Sequence, residues 1–482
     1  MSEVRRLLVD ARPVDHPTAR NRGIGRYTFG LLDGLQQVDA PVVALYETPA
    51  EASLLAAAVP GLALRQLTPA TVREFATEGT WFVATQLMLH PIPLDPVPSI
   101  ITEAGLPVAA VMYDVIPERY PEIYQQNPAA RAQVQLRGTL ARTLDALLAI
   151  SQFAADTAAQ ELKFPRKRIA MIGAGVDRHF APTSDSVDNR WRRLANVLVR
   201  DDRRVVVMVA GTDARKNTER TLRAWGLLPA ALRAHHCLVV VAAVSDGLLS
   251  QWQMWADEAG VESDVVFTGG VSDDEMVALH QVAVLAVMPS TEEGFGLPVL
   301  EAAACGCPTI TSNVSSLPEV LAYPAAEFDP FDIASIAATV ERALTDMSFR
   351  TELCAAGSRA VDRFTWANTG RATMDALAAL GPRRSRVVRP PAWRVALQGR
   401  FDDSELGRTN TAFAASLRAL PNAPIVTLLV NHGATSTPTS AGDGRFPAPA
   451  FGRYVHRSLF DSVIELDEDC DRESLLDSLA AR

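Results

Sequence analysis

The sequence predicts two doubly wound α/β domains in tandem, followed by a shorter α/β extension. Three observations carry this. Short apolar runs alternate with longer helical patterns along most of the chain. The runs are rich in Val and Ile at consecutive positions, the pattern of strands buried on both faces of a parallel sheet. A polar stretch, residues 182–204, divides the runs into two series. The 482 residues accommodate two or three domains at roughly 100–200 residues each.

The first series of candidate strands comprises residues 7–10, 42–45, 108–112, 147–150 and 169–172. The second comprises 205–209, 238–242, 265–268, 284–288 and 309–311. Helical patterns lie between them, as at residues 130–148 and 218–230. The polar stretch reads as a linker with a lead-in helix, so residues 1–182 and 183–380 form one Rossmann-like domain each. Residues 381–393, basic and proline-containing, read as a second linker. Residues 394–482 restart a strand pattern as an α/β extension. Gly407-Arg408 followed by Ala423-Pro424-Ile425-Val426 echoes Gly25-Arg26 followed by Ala40-Pro41-Val42-Val43. That echo has two readings: the opening of a second, similar module, or a likeness between generic βα units.

Composition narrows the partners. A net charge of −10 with 6% aromatic residues argues against a nucleic-acid surface. The five cysteines show no paired spacing for disulfides or zinc, which suggests small buried thiols in a reducing, cytoplasmic setting. The adjacent His235-His236 reads as a solvated pair rather than a metal site. No apolar run approaches the roughly 20 residues of a membrane span, which leaves room only for peripheral contact at the inner face of a membrane. Of 46 basic residues only Lys163, Lys167 and Lys216 are lysines, so a lysine in a polar turn is a position to examine.

The most informative string runs from Pro289 through Glu292-Glu293-Gly294-Phe295-Gly296-Leu297-Pro298 to Glu301, directly after an apolar strand. Gly294 and Gly296 permit a tight turn and close approach to a ligand. Pro298 suits the first turn of a helix whose open N–H groups and positive dipole end favour an anion such as a diphosphate. Glu293 and Glu301 bracket the turn, and a carboxylate accepts hydrogen bonds from paired sugar hydroxyls. Glu293 then faces the transferred sugar and Glu301 the ribose. Taken singly, each is an ordinary loop or helix-start acid.

Three further turns follow strands. Gly211-Thr212-Asp213-Ala214-Arg215-Lys216 places two adjacent cations at a strand-to-helix turn suited to the same diphosphate. Asn21-Arg22-Gly23-Ile24-Gly25 is a glycine-rich loop opening a helix, a weak signal by itself. Tyr113-Asp114 stands at a carboxyl strand end, where ligands of α/β domains collect. Asp114 is the candidate to bind or deprotonate an acceptor hydroxyl.

The string from Glu293 to Glu301, with Ser312-Asn313-Val314-Ser315-Ser316 and Asp329-Pro330, resembles the signature of family 4 glycosyltransferases over about residues 5–380. Its likeness is greatest to the bacterial mannosyltransferase-like branch that builds surface polysaccharides. The resemblance implies a GT-B fold, with a cleft between two doubly wound Rossmann-like domains. It also implies a retaining, metal-independent hexosyltransferase without a cofactor, whose donor is a nucleotide-diphosphate sugar, GDP-mannose favoured. By the same resemblance, Arg215 and Lys216 neutralise the leaving diphosphate, and Gly23 and Gly25 close over the donor phosphates and acceptor. A backbone contact at Val271 reads the base. Many members carry His-Asp where this chain has Tyr113-Asp114. The implied partners are a saccharide or lipid-linked acceptor and the machinery of polysaccharide assembly, with no nucleic acid. A sugar-nucleotide epimerase of the same fold, and a non-catalytic nucleotide-sugar-binding module, are the rival readings.

Overall fold

The computed structural model describes residues 3–15, 23–87 and 95–383, together with four strands beyond them. Asn21, Arg22, Trp393, Phe401, Gly407, Arg408 and Cys470 lie outside the described residues.

Two parallel sheets form the body. The first contains β1 (Arg6–Asp10), β2 (Val42–Tyr46), β3 (Ala63–Gln66), β4 (Thr80–Ala84), β5 (Val108–Met112), β6 (Ala146–Ala149) and β7 (Ile169–Met171). Their order is β3-β2-β1-β4-β5-β6-β7. The second contains β8 (Arg204–Val209), β9 (His236–Val241), β10 (Val265–Gly269), β11 (Leu285–Met288), β12 (Thr309–Ser312) and β13 (Glu327–Phe328), in the order β10-β9-β8-β11-β12-β13. Each sheet reverses direction between its first and fourth strands. Such a reversal opens a crevice at the carboxyl strand ends.

The strands form where the apolar runs predict them, and the runs omit three: β3, β4 and the two-residue edge strand β13. β4 is central and buried throughout, yet Thr80-Trp81-Phe82-Val83-Ala84 lacks the Val/Ile run of its neighbours. β3 is a mostly exposed edge strand without an apolar face. The helix anticipated over residues 130–148 is Pro128–Thr143, and β6 takes the residues after it. The lead-in helix is Val187–Arg193, capped by Ser186.

The helix Trp366–Leu380 returns from the second domain to pack on Gly23–Gln37 of the first. Gly34 and Gly370 permit backbone contact there: a Cβ on Gly34 would meet the Trp366 carbonyl at 2.0 Å. Arg168 then donates to the carbonyls of Leu380 and Gly381 at 2.6 Å each. The chain thus crosses between the domains twice, and one apolar core runs through both. A smaller cluster, including Leu194, Val207 and Val239, fills the other face of the second sheet.

Two smaller expectations are corrected. His236 is buried at the start of β9, with Nδ1 2.8 Å from the Leu232 carbonyl, because its strand is central enough to be covered. Cys237, Cys305 and Cys307 are buried, but Cys354 is exposed. No described helix is long and apolar enough to cross a membrane.

Four strands follow: β14 (Arg394–Gly399), β15 (Ile425–Val430), β16 (Arg445–Pro447) and β17 (Ser462–Leu466). They pair in parallel in the order β16-β15-β14-β17. That is the order in which both preceding sheets open.

Candidate active site

The crevice between the two sheets holds a cavity of about 410 Å³. The first domain contributes Gly23, Ile24, Tyr27, Tyr113, Asp114, Ile150 and Ala174. The second contributes Arg215, Lys216 and Glu293 through Pro298. The segments carrying these residues follow β1, β5, β6, β7, β8 and β11, so the cavity lies at the carboxyl ends of both sheets.

The floor is the turn after β11. Gly296 adopts φ +104°, a left-handed conformation that glycine tolerates, and it caps the helix Leu297–Ala304. No side chain caps that helix, so its N-terminal dipole end faces the cavity uncompensated. Gly294 passes so close to the first domain that a Cβ would lie 2.2 Å from the Tyr113 carbonyl. Ser316 Oγ lies 2.9 Å from the Glu293 carbonyl and 2.8 Å from that of Phe295, while Ser315 Oγ accepts the Glu293 N–H at 3.0 Å. Ser312 Oγ donates to the Ser290 carbonyl at 2.6 Å. The serine-rich segment after β12 therefore fixes the shape of the turn.

Glu293 lies between two cations. Lys216 Nζ is 2.7 Å from one carboxylate oxygen, and an Arg215 guanidinium nitrogen is 2.9 Å from the other. Ser290 Oγ donates a further bond at 2.7 Å. Burial opposes the charge, but Lys216 and Arg215 outweigh it and hold the carboxyl down at about 2. Arg215 also donates to the Glu292 carbonyl at 2.9 Å and faces Asp213 at 3.2 Å. The cations are aimed by Asn217, whose φ of +63° ends their turn. Its side-chain amide donates to the carbonyls of Pro289 and Pro330, at 3.1 and 2.7 Å. Through Pro330, the Asp329-Pro330 turn is thereby tied to the turn that carries the cations.

Asp114 lines the cavity opposite, accepting the Ile116 N–H at 3.1 Å, and burial raises its pKa. The arrangement can do specific chemistry. Two cations and an open helix end suit a diphosphate, ionised Glu293 suits sugar hydroxyls, and a carboxyl of raised pKa suits proton exchange with an incoming hydroxyl. Among the described residues, no three His, Cys, Asp or Glu side chains gather as a metal site would require.

Residues 189–359, which carry both the cation turn and the glycine turn, match the family model described as glycosyl transferases group 1. This part of the chain is a group 1 glycosyltransferase domain. Among curated relatives, the serotype-specific mannosyltransferase WbdA of Escherichia coli is 34% identical over 271 residues, covering 56% of this chain and 33% of WbdA. The O-antigen chain mannosyltransferase B of Escherichia coli is 30% identical over 246 residues, covering 48% of this chain and 59% of the relative. The chain thus spans about a third of the length of WbdA. The crystal structure of Anabaena Alr3699/HepE in complex with UDP and glucose superposes with a TM-score of 0.59 at 16% identity, covering 78% of this chain and 99% of that one. WaaG, described as a glycosyltransferase involved in lipopolysaccharide biosynthesis, gives 0.54 at 16% identity, covering 77% and 98%. The fold is GT-B: two Rossmann-like domains facing one cleft.

Not every anticipated residue lines the cavity. Within the group 1 domain, Glu301 lies one turn along its helix and faces Arg26 of the first domain at 3.6 Å. Burial pushes its carboxyl up to about 7 against the pull of Arg26. Gly211 abuts Lys216, where a Cβ would stand 3.6 Å from its Cγ. Val271 packs half-buried on the smaller core cluster, and Gly25 is buried within the helix Gly23–Gln37.

Sequence reasoning missed the contacts that join the group 1 domain to the first. Glu319 accepts the N–H groups of Gln152 and Phe153, at 2.8 and 2.7 Å, and so caps a helix of the other domain. Ser151 Oγ donates to the Gly294 carbonyl at 2.7 Å. Arg26 pairs with Asp273. Glu292 meets Arg119 at 2.9 Å and Tyr120 Oη at 2.6 Å, and Tyr124 Oη meets Asp213 at 2.6 Å. A run of Arg119, Tyr120 and Tyr124 just after Asp114 was the available signal. It reads as an ordinary helical turn until its partners are known.

Proposed function

We propose that the protein is a retaining, metal-independent glycosyltransferase. It moves a sugar, mannose favoured, from a nucleotide-diphosphate donor to a glycan or lipid-linked acceptor in surface polysaccharide synthesis. The observation that carries this reading is the convergence of Arg215, Lys216 and the open helix end at Leu297 on one cavity. The mannosyltransferase relatives support mannose as the transferred sugar, the complex of HepE with UDP and glucose supports a nucleotide donor, and the choice of GDP-mannose follows the family resemblance. Retention follows the family resemblance.

In this reading the donor diphosphate sits on the N-terminus of Leu297–Ala304. Arg215 and Lys216 leave Glu293 for the phosphates and stabilise charge on the leaving nucleotide. Glu293, released from its ion pairs, accepts hydrogen bonds from the transferred sugar. Glu301 takes the ribose hydroxyls, and the backbone at Val271 borders the base. Gly211 leaves space beside Lys216, while Gly23 and Gly25 bring the first domain over the phosphates. The acceptor hydroxyl approaches Asp114, which receives its proton. Domain closure excludes water and limits hydrolysis.

The domain reading stands beside it: residues 1–182 on the acceptor side, 183–380 on the donor side, and 394–482 opening a second module of the same kind. The strand order β16-β15-β14-β17 supports that last point. The enzyme works in the cytoplasm, with peripheral contact at the inner membrane face through its acceptor.

The test is a transfer assay with GDP-mannose, UDP-glucose and other nucleotide sugars against lipid-linked saccharide acceptors, reading product and released nucleotide. Acceptor-dependent transfer that falls severely in Lys216→Ala supports the reading. Conversion of the sugar without acceptor would replace it with an epimerase.

A further inference from the structure

The short helices Ile116–Arg119 and Pro121–Tyr124 belong to the first domain and follow directly on Asp114. Their side chains nevertheless bond to the two loops of the second domain that carry Arg215 and Glu293. Tyr124 Oη donates to Asp213 Oδ2 at 2.6 Å. The same oxygen lies 3.2 Å from Arg215 Nε, and Asp213 Oδ1 accepts the Arg215 N–H at 3.1 Å. Arg119 and Tyr120 hold the Glu292 carboxylate, one residue before Glu293, and the Glu292 carbonyl accepts Arg215. Arg215 is therefore oriented from two sides by groups that the first domain grips.

We propose that Tyr124 is a positioning residue that sets Arg215 through Asp213, and that it does so only when the two domains are together. A guanidinium has several rotatable bonds. Its electrostatic effect on a leaving group depends on being fixed before charge develops. The carboxylate of Asp213 supplies one fixed point, and the phenol of Tyr124 fixes the carboxylate. Both bonds are charge-assisted, the strong class of hydrogen bond. Because the phenol comes from the opposite domain, an open cleft releases Asp213 and leaves Arg215 free to swing. The segment that presents Asp114 to the acceptor thus also sets the cation that serves the donor. The two halves of the site become competent in one movement. Tyr120 and Arg119 steady Glu292 and keep the second loop in register with the first.

This inference rests on the transferase reading, and the experiment separates the two. Steady-state transfer is measured for wild type, Tyr124→Phe, Arg215→Lys and the double variant, with melting temperatures recorded alongside. Removal of one charge-assisted hydrogen bond predicts a fall of about tenfold in kcat for Tyr124→Phe, with the donor KM changed by less than about twofold. In the Arg215→Lys background, Tyr124→Phe should cost no more than about twofold further, because the group it positions is already altered. An unchanged kcat in Tyr124→Phe, or an equal loss in both backgrounds, overturns the positioning role. A wild-type chain that transfers no sugar from any donor overturns the transferase reading and this inference with it. Tyr120→Phe is the companion variant: a smaller fall in kcat of the same non-additive kind supports the grip on Glu292.

Discussion

Lys216 Nζ lies 2.7 Å from Glu293 Oε1, joining the turn after β8 to the turn after β11. Arg215 bonds the other carboxylate oxygen and also faces Asp213, so two cations and two carboxylates meet here. Both cations line the cavity, and a diphosphate can take the place of Glu293 as their shared partner. The acid and the ligand then compete for the same donors.

That competition makes a prediction. Glu293→Gln should bind a nucleoside diphosphate more tightly, by about tenfold or roughly 1.4 kcal/mol, while transfer collapses. Calorimetric titration beside the transfer assay checks both. Weaker nucleotide binding in the variant would show that Glu293 does not restrain the cations.

Acid stability tests the same triad. The Glu293 carboxyl sits at about 2, below its ordinary 4.5, so its contribution is fully present above about pH 4.5. It is lost as pH falls toward 2, because protonation removes the partner of both cations. Relative to Glu293→Gln, the wild type should lose roughly 1–3 kcal/mol between pH 5 and 2, measured by denaturant unfolding. Parallel profiles for the two proteins would contradict this.

Glu301 works in the opposite direction. Burial raises its carboxyl to about 7, so stability falls as pH rises from about 4.5 through 7 and charge is forced into the site. The charged form is the better acceptor for ribose hydroxyls. Affinity for a nucleotide sugar should therefore increase between pH 6 and 8 in the wild type and stay flat in Glu301→Gln. A titration series across that range decides between them.

Gly294 offers a steric test. A Cβ there would meet a backbone carbonyl of the other domain, which has no flexible end to give way. Gly294→Ala should keep both domains folded, with near-native circular dichroism, yet prevent the cleft from closing. Transfer should fall about a hundredfold or more, on the principle that small misplacements of reacting groups cost that much. Scattering profiles with and without nucleotide should show the variant extended in both.

Much of this was legible from the residues. Consecutive Val and Ile positions marked ten strands, because a strand buried on both faces has no polar side to conceal it. The turn of Gly294 and Gly296 declared itself, since few sequences place two glycines and two carboxylates around a helix start. β4 was missed because Trp81 and Phe82 fill its faces without an aliphatic run. The return of Trp366–Leu380 to the first domain was invisible, since its seam depends on Gly34 and Gly370, more than 300 residues apart. The clasp of Arg119, Tyr120 and Tyr124 could not be read for a similar reason. Their partners, Glu292 and Asp213, are placed by the other domain, and nothing in local spacing points to them.

The central claim is that the two cations serve a nucleotide diphosphate leaving a sugar. The most direct measurement is acceptor-dependent release of nucleoside diphosphate from a nucleotide sugar by wild type and Lys216→Ala, each verified as folded. The account predicts sustained release with sugar appearing on the acceptor in the wild type, and a loss of at least about a hundredfold in the variant. Equal turnover by the two proteins would contradict it.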